Sequence, residues 1–122
     1  MAIPIKLLLV EDDERVREMI RGIVSEVTES IFECGDGADA FARYTEINPD
    51  WVLMDLVMPL VDGIAATKQI IASYPEARIV IVTSYDSDIQ RREALSAGAC
   101  GYVLKENLLE LLEILSLTQV TD

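Results

Sequence analysis

The stretch Trp51-Val52-Leu53-Met54-Asp55-Leu56-Val57-Met58-Pro59-Leu60-Val61-Asp62-Gly63 decides the fold. Its apolar run stops abruptly at a carboxylate, Asp55, and Asp62-Gly63 then reads as the start of a helix. Three other apolar runs end in the same way. Residues 5–10 end in Glu11, Asp12 and Asp13, residues 78–82 in Thr83 and Ser84, and residues 101–104 in Lys105. If all four runs are parallel strands, their endings meet on one rim. That rim collects carboxylates, a hydroxyl and an ammonium.

Between these runs lie amphipathic segments. Asp13 is placed to cap a helix whose Val16, Met19, Ile20 and Ile23 share one face. Residues 31–34 read as a short strand. Asp36-Gly37 turns into a helix carrying Phe41, Tyr44 and Ile47, which Asn48-Pro49 stops. Asp62 caps a helix from 63 to about 73, ended by Tyr74-Pro75. A weaker helix covers about 87–97, with Ile89, Ala94, Leu95 and Ala97 as its anchors and Gly98 closing it. Asn107 and Glu110 have capping-box spacing for a last helix. Its core face carries Leu108, Leu111, Leu112 and Leu115, while Leu109, Ile114 and Leu117 lie outside that stripe.

Five strand–helix pairs in strict alternation predict an α/β domain with a parallel sheet. Continuous apolar strands agree, because both faces of such a sheet are covered by helices. A closed barrel needs eight units, so the expectation is an open, doubly wound sheet. Ligands bind such sheets at the carboxyl ends of the strands, where strand order reverses.

The 122 residues match one domain, 1–122, and half of them are apolar. No apolar run approaches the ~20 residues that cross a bilayer. The N-terminus has no signal-peptide pattern, so a cytoplasmic location is expected. A net charge of −12, from 22 acidic and 10 basic residues, argues against nucleic-acid binding. With no histidine and only Cys34 and Cys100, zinc sites and Ser-His or Cys-His catalysis are excluded. Both thiols are expected buried and reduced.

Glu11, Asp12 and Asp55 converge if the first and third strands are neighbours. Two bare carboxylates ~4 Å apart repel by about 4 kcal/mol at an effective dielectric near 20. Such a cluster calls for protons or a hard cation with oxygen ligands, and Mg²⁺ is the usual ion where phosphate is handled. A carboxylate in that setting accepts a phosphoryl group as an acyl phosphate. Transfer then rests on positioning and charge neutralisation, for which Lys105 and the Thr83 hydroxyl are placed. Taken singly, Lys105 reads as a solvated lysine, Thr83 as a strand threonine and Tyr102 as a half-buried aromatic. Their joint placement makes the site.

The residues Val10-Glu11-Asp12-Asp13, Met54-Asp55 through Pro59 with Asp62-Gly63, Val82-Thr83-Ser84 and Gly101-Tyr102-Val103-Leu104-Lys105 resemble the receiver domain of bacterial two-component response regulators. The resemblance spans essentially the whole chain. It implies a flavodoxin-like (βα)5 fold with strand order 2-1-3-4-5. It makes Asp55 the phosphoacceptor, taking phosphate from a phosphohistidine on a histidine kinase or phosphotransfer protein. Asp12 becomes a direct Mg²⁺ ligand, Glu11 acts through water, and the Val57 backbone carbonyl is a further ligand, with Mn²⁺ a workable substitute. Thr83 and Tyr102 match the switch pair, and the fourth helix, fifth strand and fifth helix form the switched and potentially homodimeric face. The domain is then not an enzyme, beyond promoting its own phosphorylation and slow dephosphorylation. A phosphate-independent pseudo-receiver is the alternative. An aspartyl-phosphate hydrolase is disfavoured, because Val57 stands where a second aspartate belongs.

Three departures carry information. Glu106 follows Lys105 where many receivers have proline, so a trans bond is expected; a cis one would cost roughly 2.5–4 kcal/mol. Glu106, with 74–78 and 97–102, resembles receivers that precede LuxR-type, NarL-like helix-turn-helix domains. Val57 and Tyr85 flank the site without a carboxylate or amide to orient water, which implies a comparatively long-lived acyl phosphate.

Overall fold

The structure, a computed structural model, describes the backbone of residues 5–120 and the side chains of residues 5–116. Five strands alternate with five helices: β1 (Lys6–Val10), α1 (Glu14–Val24), β2 (Ser30–Cys34), α2 (Ala40–Ile47), β3 (Trp51–Asp55), α3 (Gly63–Ser73), β4 (Ile79–Thr83), α4 (Asp88–Ala97), β5 (Gly101–Leu104) and α5 (Glu110–Val120). All pairings are parallel and the order is β2-β1-β3-β4-β5, as expected. The order reverses between β1 and β3, so a crevice opens beyond their carboxyl ends.

Strand residues alternate between two cores. Leu8, Val10, Val52, Met54, Ile81 and Tyr102 pack with α2, α3 and α4. Leu7, Leu9, Leu53, Val80, Val82 and Val103 pack with Ile20 and Val24 of α1 and with Leu111 and Leu115 of α5. β3 and β4 are buried at every residue, which is why their sequences read as unbroken apolar runs.

The expected caps of α1 and α3 and the stops of α2 and α4 hold. The Asp13 carboxylate accepts from the amides of Arg15 and Val16, and that of Asp62 from Ala65. Asn48 ends α2 at φ 51°, and Gly98 ends α4 at φ 113°. No cis peptide bond occurs among the described residues, so Lys105–Glu106 is trans.

Several side chains depart from the sequence reading. Met19 is 48% exposed, because the buried stripe of α1 passes through Ile20 and Val24. On α4, Ile89 and Leu95 face outward, and only Ala94 and Ala97 are buried. Residues Lys105–Asn107 form a 3₁₀ turn, so α5 starts at Glu110 rather than behind an Asn107 cap. Leu112 and Ile114 are both half-buried; Leu117 lies outside the described side chains. Both cysteines are free, but Cys100 is exposed. Its backbone is tied to β4 through a 2.8 Å bond to the Ile79 carbonyl, which leaves its residue on the surface.

Candidate functional site

The strand register builds the site. Val10 lies beside Met54, and Asp55 beside Val82, so Glu11, Asp55 and Thr83 leave neighbouring strands at almost one level. Lys105 follows β5 directly. These residues, with Asp12, Asp13, Val57, Ser84 and Tyr85, line an open cleft of about 360 Å³. A cleft of similar size, about 390 Å³, lies at the amino ends of β3 and β4 among Tyr44, Tyr74 and Arg78, away from these carboxylates.

Glu11, Asp12 and Asp55 each offer an oxygen within 4.8 Å of the others. Glu11 and Asp55 are buried, at 1% and 5% exposure, and Asp12 is exposed. Lys105 Nζ lies 3.0 Å from Glu11 Oε1 and 3.1 Å from Asp55 Oδ1. Three carboxylates thus face one ammonium. Burial raises the Glu11 carboxyl to about 7; the Lys105 bond partly opposes this and the Asp55 charge adds to it. Asp55 is raised too, by burial first, with Lys105 pulling the other way. Burial alone would lower Lys105, but its bond to Glu11 and the charge of Asp55 prevail and raise it.

The donor set fits a hard divalent cation. It is all oxygen and its negative charge exceeds what Lys105 offsets. Its exposed member, Asp12, leaves room for the waters that Mg²⁺ retains.

Thr83 is buried, and its hydroxyl accepts from the Tyr85 amide at 3.2 Å. Tyr102 is turned inward, 8% exposed, and its phenol donates to the Tyr85 carbonyl at 2.7 Å. Arg91 of α4 lies 4.5 Å above the Tyr102 ring. Val57 and Tyr85 flank the cleft, each 54% exposed. Glu11, Asp12, Asp55, Val57, Thr83 and Lys105 thus reach this rim, and Tyr102 reaches the Tyr85 contact behind it.

Gly63 was legible only as a helix start, yet it sets how closely α3 approaches the site. A Cβ there would fall 2.1 Å from the Asp55 carbonyl oxygen. Its amide donates to the Leu56 carbonyl at 2.8 Å. Arg17 was also missed. Its guanidinium Nη1 donates to the Glu11 carbonyl at 2.7 Å. An arginine one turn into a helix carries no signal of such a contact.

The profile of the response regulator receiver domain matches residues 7–116. The chain belongs to that family, and so is a phosphoacceptor module of two-component signalling rather than a classical enzyme. It is 39% identical over 108 residues to the transcriptional regulatory protein YxjL of Bacillus subtilis, covering 87% of this chain and 50% of that protein. The chain spans about half the length of most of the curated relatives it matches. Among solved structures, a LuxR-family response regulator from Aurantimonas sp. superposes with a TM-score of 0.89 at 33% identity, over 95% of this chain and 85% of that one. The CheX–CheY–BeF3–Mg²⁺ complex from Borrelia burgdorferi gives 0.87 at 25% identity, over 98% and 92%. Among the described residues, no helix is long and apolar enough to cross a membrane.

Proposed function

We propose that Asp55 is the phosphoacceptor of this receiver. One observation carries the reading: the buried Asp55 carboxylate is held by Lys105 at 3.1 Å, within 4.8 Å of oxygens of Glu11 and Asp12. An Asp55 oxygen attacks the phosphorus of a phosphohistidine on a histidine kinase or phosphotransfer protein. The P–N bond breaks as the P–O bond forms; the leaving nitrogen keeps the bonding pair, and the histidine, already protonated on its other ring nitrogen, departs as neutral imidazole. Lys105 neutralises charge on the transferred oxygens, and the Thr83 hydroxyl turns from the Tyr85 amide to donate to one of them.

Asp12 and Asp55 would hold Mg²⁺ or Mn²⁺ directly, Glu11 through water, and the Val57 carbonyl would add a further oxygen. The ion supplies charge neutralisation to the phosphoryl oxygens.

Tyr102 reports the change. With its phenol on the Tyr85 carbonyl, it couples β5 to the loop that leads from Thr83 into α4. Phosphorylation favours this inward arrangement and so alters the α4–β5–α5 face. That face is our candidate for homodimer formation. The setting is cytoplasmic, where kinase and Mg²⁺ are available. Val57 and Tyr85 offer no carboxylate or amide to orient an attacking water, so the acyl phosphate is comparatively long-lived.

Intact mass after incubation with Mg²⁺ and acetyl phosphate tests the reading. One added phosphoryl group is expected, absent with EDTA and absent in Asp55→Asn. An unchanged wild-type mass would favour the phosphate-independent pseudo-receiver.

A further inference from the structure

Arg17 reaches back from α1 to the strand end that carries the acidic pair. Nη1 donates to the Glu11 carbonyl at 2.7 Å. From the other side, the Glu11 amide donates to the Cys34 carbonyl of β2 at 3.0 Å. Glu11 is therefore held on both sides of its Cα, the Val10–Glu11 peptide by β2 and the Glu11–Asp12 peptide by Arg17. Its side chain is then aimed at Lys105, and the peptide that follows sets the direction of Asp12. Within the loop, the Asp13 amide donates to Glu11 Oε2 at 3.2 Å, so the same peptide frame also orients the second Glu11 oxygen.

The arginine is itself held in place. Its Nε lies 3.6 Å from Glu33 Oε1 on β2, and Arg21 Nε binds the other Glu33 oxygen at 2.8 Å. Arg17 is only 21% exposed, less than Arg21 at 44%. A charge-assisted bond between partly buried groups is worth more than an exposed ion pair. Arg21 shares Glu33, but its other hydrogen bond goes to the Ile31 carbonyl of β2.

We propose that Arg17 is a positioning residue of the receiver site: clamped by Glu33, it fixes the Glu11 peptide and so presents Glu11 and Asp12 to the cation. This rests on the phosphoacceptor reading above. Groups that orient metal ligands from behind typically affect affinity by ~10–100-fold. Only one peptide is held here, so the low end applies.

The test compares wild type with Arg17→Ala, Arg17→Lys, Glu33→Gln and Arg21→Gln. Mg²⁺ affinity is read by calorimetry, and exchange of the Glu11, Asp12 and Asp13 amides by NMR without metal. Arg17→Ala is expected to weaken Mg²⁺ binding roughly tenfold and to speed exchange in that loop, with β3 and β4 amides still protected. Arg17→Lys restores part of the affinity, since an ammonium can reach the carbonyl but not bridge to Glu33. Glu33→Gln gives a smaller loss. Arg21→Gln leaves affinity within about twofold, although it removes an ion pair of the same cluster. Equal losses in Arg17→Ala and Arg21→Gln would mean general destabilisation and overturn the proposal, as would wild-type affinity in a folded Arg17→Ala. A wild-type domain that binds no Mg²⁺ and gains no phosphoryl group would overturn the phosphoacceptor reading itself, and this proposal with it.

Discussion

The Tyr102 phenol donates a 2.7 Å hydrogen bond to the backbone carbonyl of Tyr85, tying β5 to the loop that leads from Thr83 into α4. Arg91 closes the contact from above, 4.5 Å over the same ring. Among the apolar residues of α4, only Ala94 and Ala97 are buried, so this contact adds to a helix with few apolar anchors. Tyr102→Phe should cost about 1 kcal/mol, the net value of one such bond. Arg91→Ala should cost about 0.5–1 kcal/mol. Both should speed amide exchange in α4 while β3 and β4 keep their protection. Because they act on one ring, the double variant should cost less than the sum. Additive losses, or unchanged exchange in α4, would separate Tyr102 from the switch.

Glu11 gives the metal-free domain a defined pH response. Burial holds its carboxyl at about 7 in the fold, above the ordinary 4.5. The folded state therefore binds this proton more tightly than the unfolded chain does. The associated stability is fully present below pH 4.5 and is lost as pH rises through about 7. The full effect is on the order of 3 kcal/mol. Denaturant unfolding in EDTA should show wild type losing stability from pH 5 to pH 8 relative to Glu11→Gln. Mg²⁺ should restore the loss at pH 8 and do little at pH 5. A constant difference between the two proteins would refute the assignment.

Lys105 and a cation compete for the same oxygens. Its ammonium lies 3.0 Å from Glu11 Oε1 and 3.1 Å from Asp55 Oδ1. Lys105→Met should therefore tighten Mg²⁺ binding, by up to roughly tenfold, since a nearby positive charge is gone. The same variant should take phosphate from acetyl phosphate on the order of 10² times more slowly, having lost a charge that neutralises the transferred oxygens. Affinity and rate thus move in opposite directions. A variant that lost both would show that Lys105 only maintains the shape of the rim.

Legibility followed the physics of each element. β3 and β4 are buried on both faces, so their unbroken apolar runs have one reading, and Asp55 stands out at the end of β3. Asp13, Asp62 and Gly98 act through their own backbone neighbours, and such local contacts are visible in sequence. Ile89 and Leu95 misled because helical spacing groups apolar residues without saying which face meets the sheet. The start of α5 was displaced because a 3₁₀ turn over Lys105–Asn107 occupies the expected cap. Arg17 escaped notice, and Gly63 was seen only in the motif that starts α3, because their partners, the carbonyls of Glu11 and Asp55, are backbone atoms on other elements.

Gly63 makes the tightest of those backbone contacts. A Cβ would stand 2.1 Å from the Asp55 carbonyl oxygen and 3.0 Å from the Leu56 Cα, and neither is a flexible side-chain end. The backbone must move to admit Gly63→Ala. Overpacking of this kind typically costs about 1–3 kcal/mol. The displaced strand end carries Asp55, the proposed phosphoacceptor, so acetyl phosphate labelling should slow by more than the loss of folded protein explains. Labelling that simply tracked the folded fraction would confine Gly63 to packing.

Val57 and Tyr85 control what water can do once Asp55 is phosphorylated. Both flank the cleft and both are 54% exposed, so substitution there should leave the fold intact. Hydrolysis needs a water aligned behind the phosphorus, and neither side chain as found, a valine and a tyrosine at this rim, is placed as a carboxylate or amide to hold one. Val57→Asn adds a carboxamide whose oxygen can accept from that water. It should shorten the acyl-phosphate lifetime by about tenfold, less than the ~10²–10⁴ that a positioned general base provides. The decay is followed by intact mass after removal of acetyl phosphate, in excess Mg²⁺. Val57→Leu, which keeps the apolar character, should decay as wild type does. If wild type already decays as fast as Val57→Asn, the flanking residues do not protect the phosphoryl group.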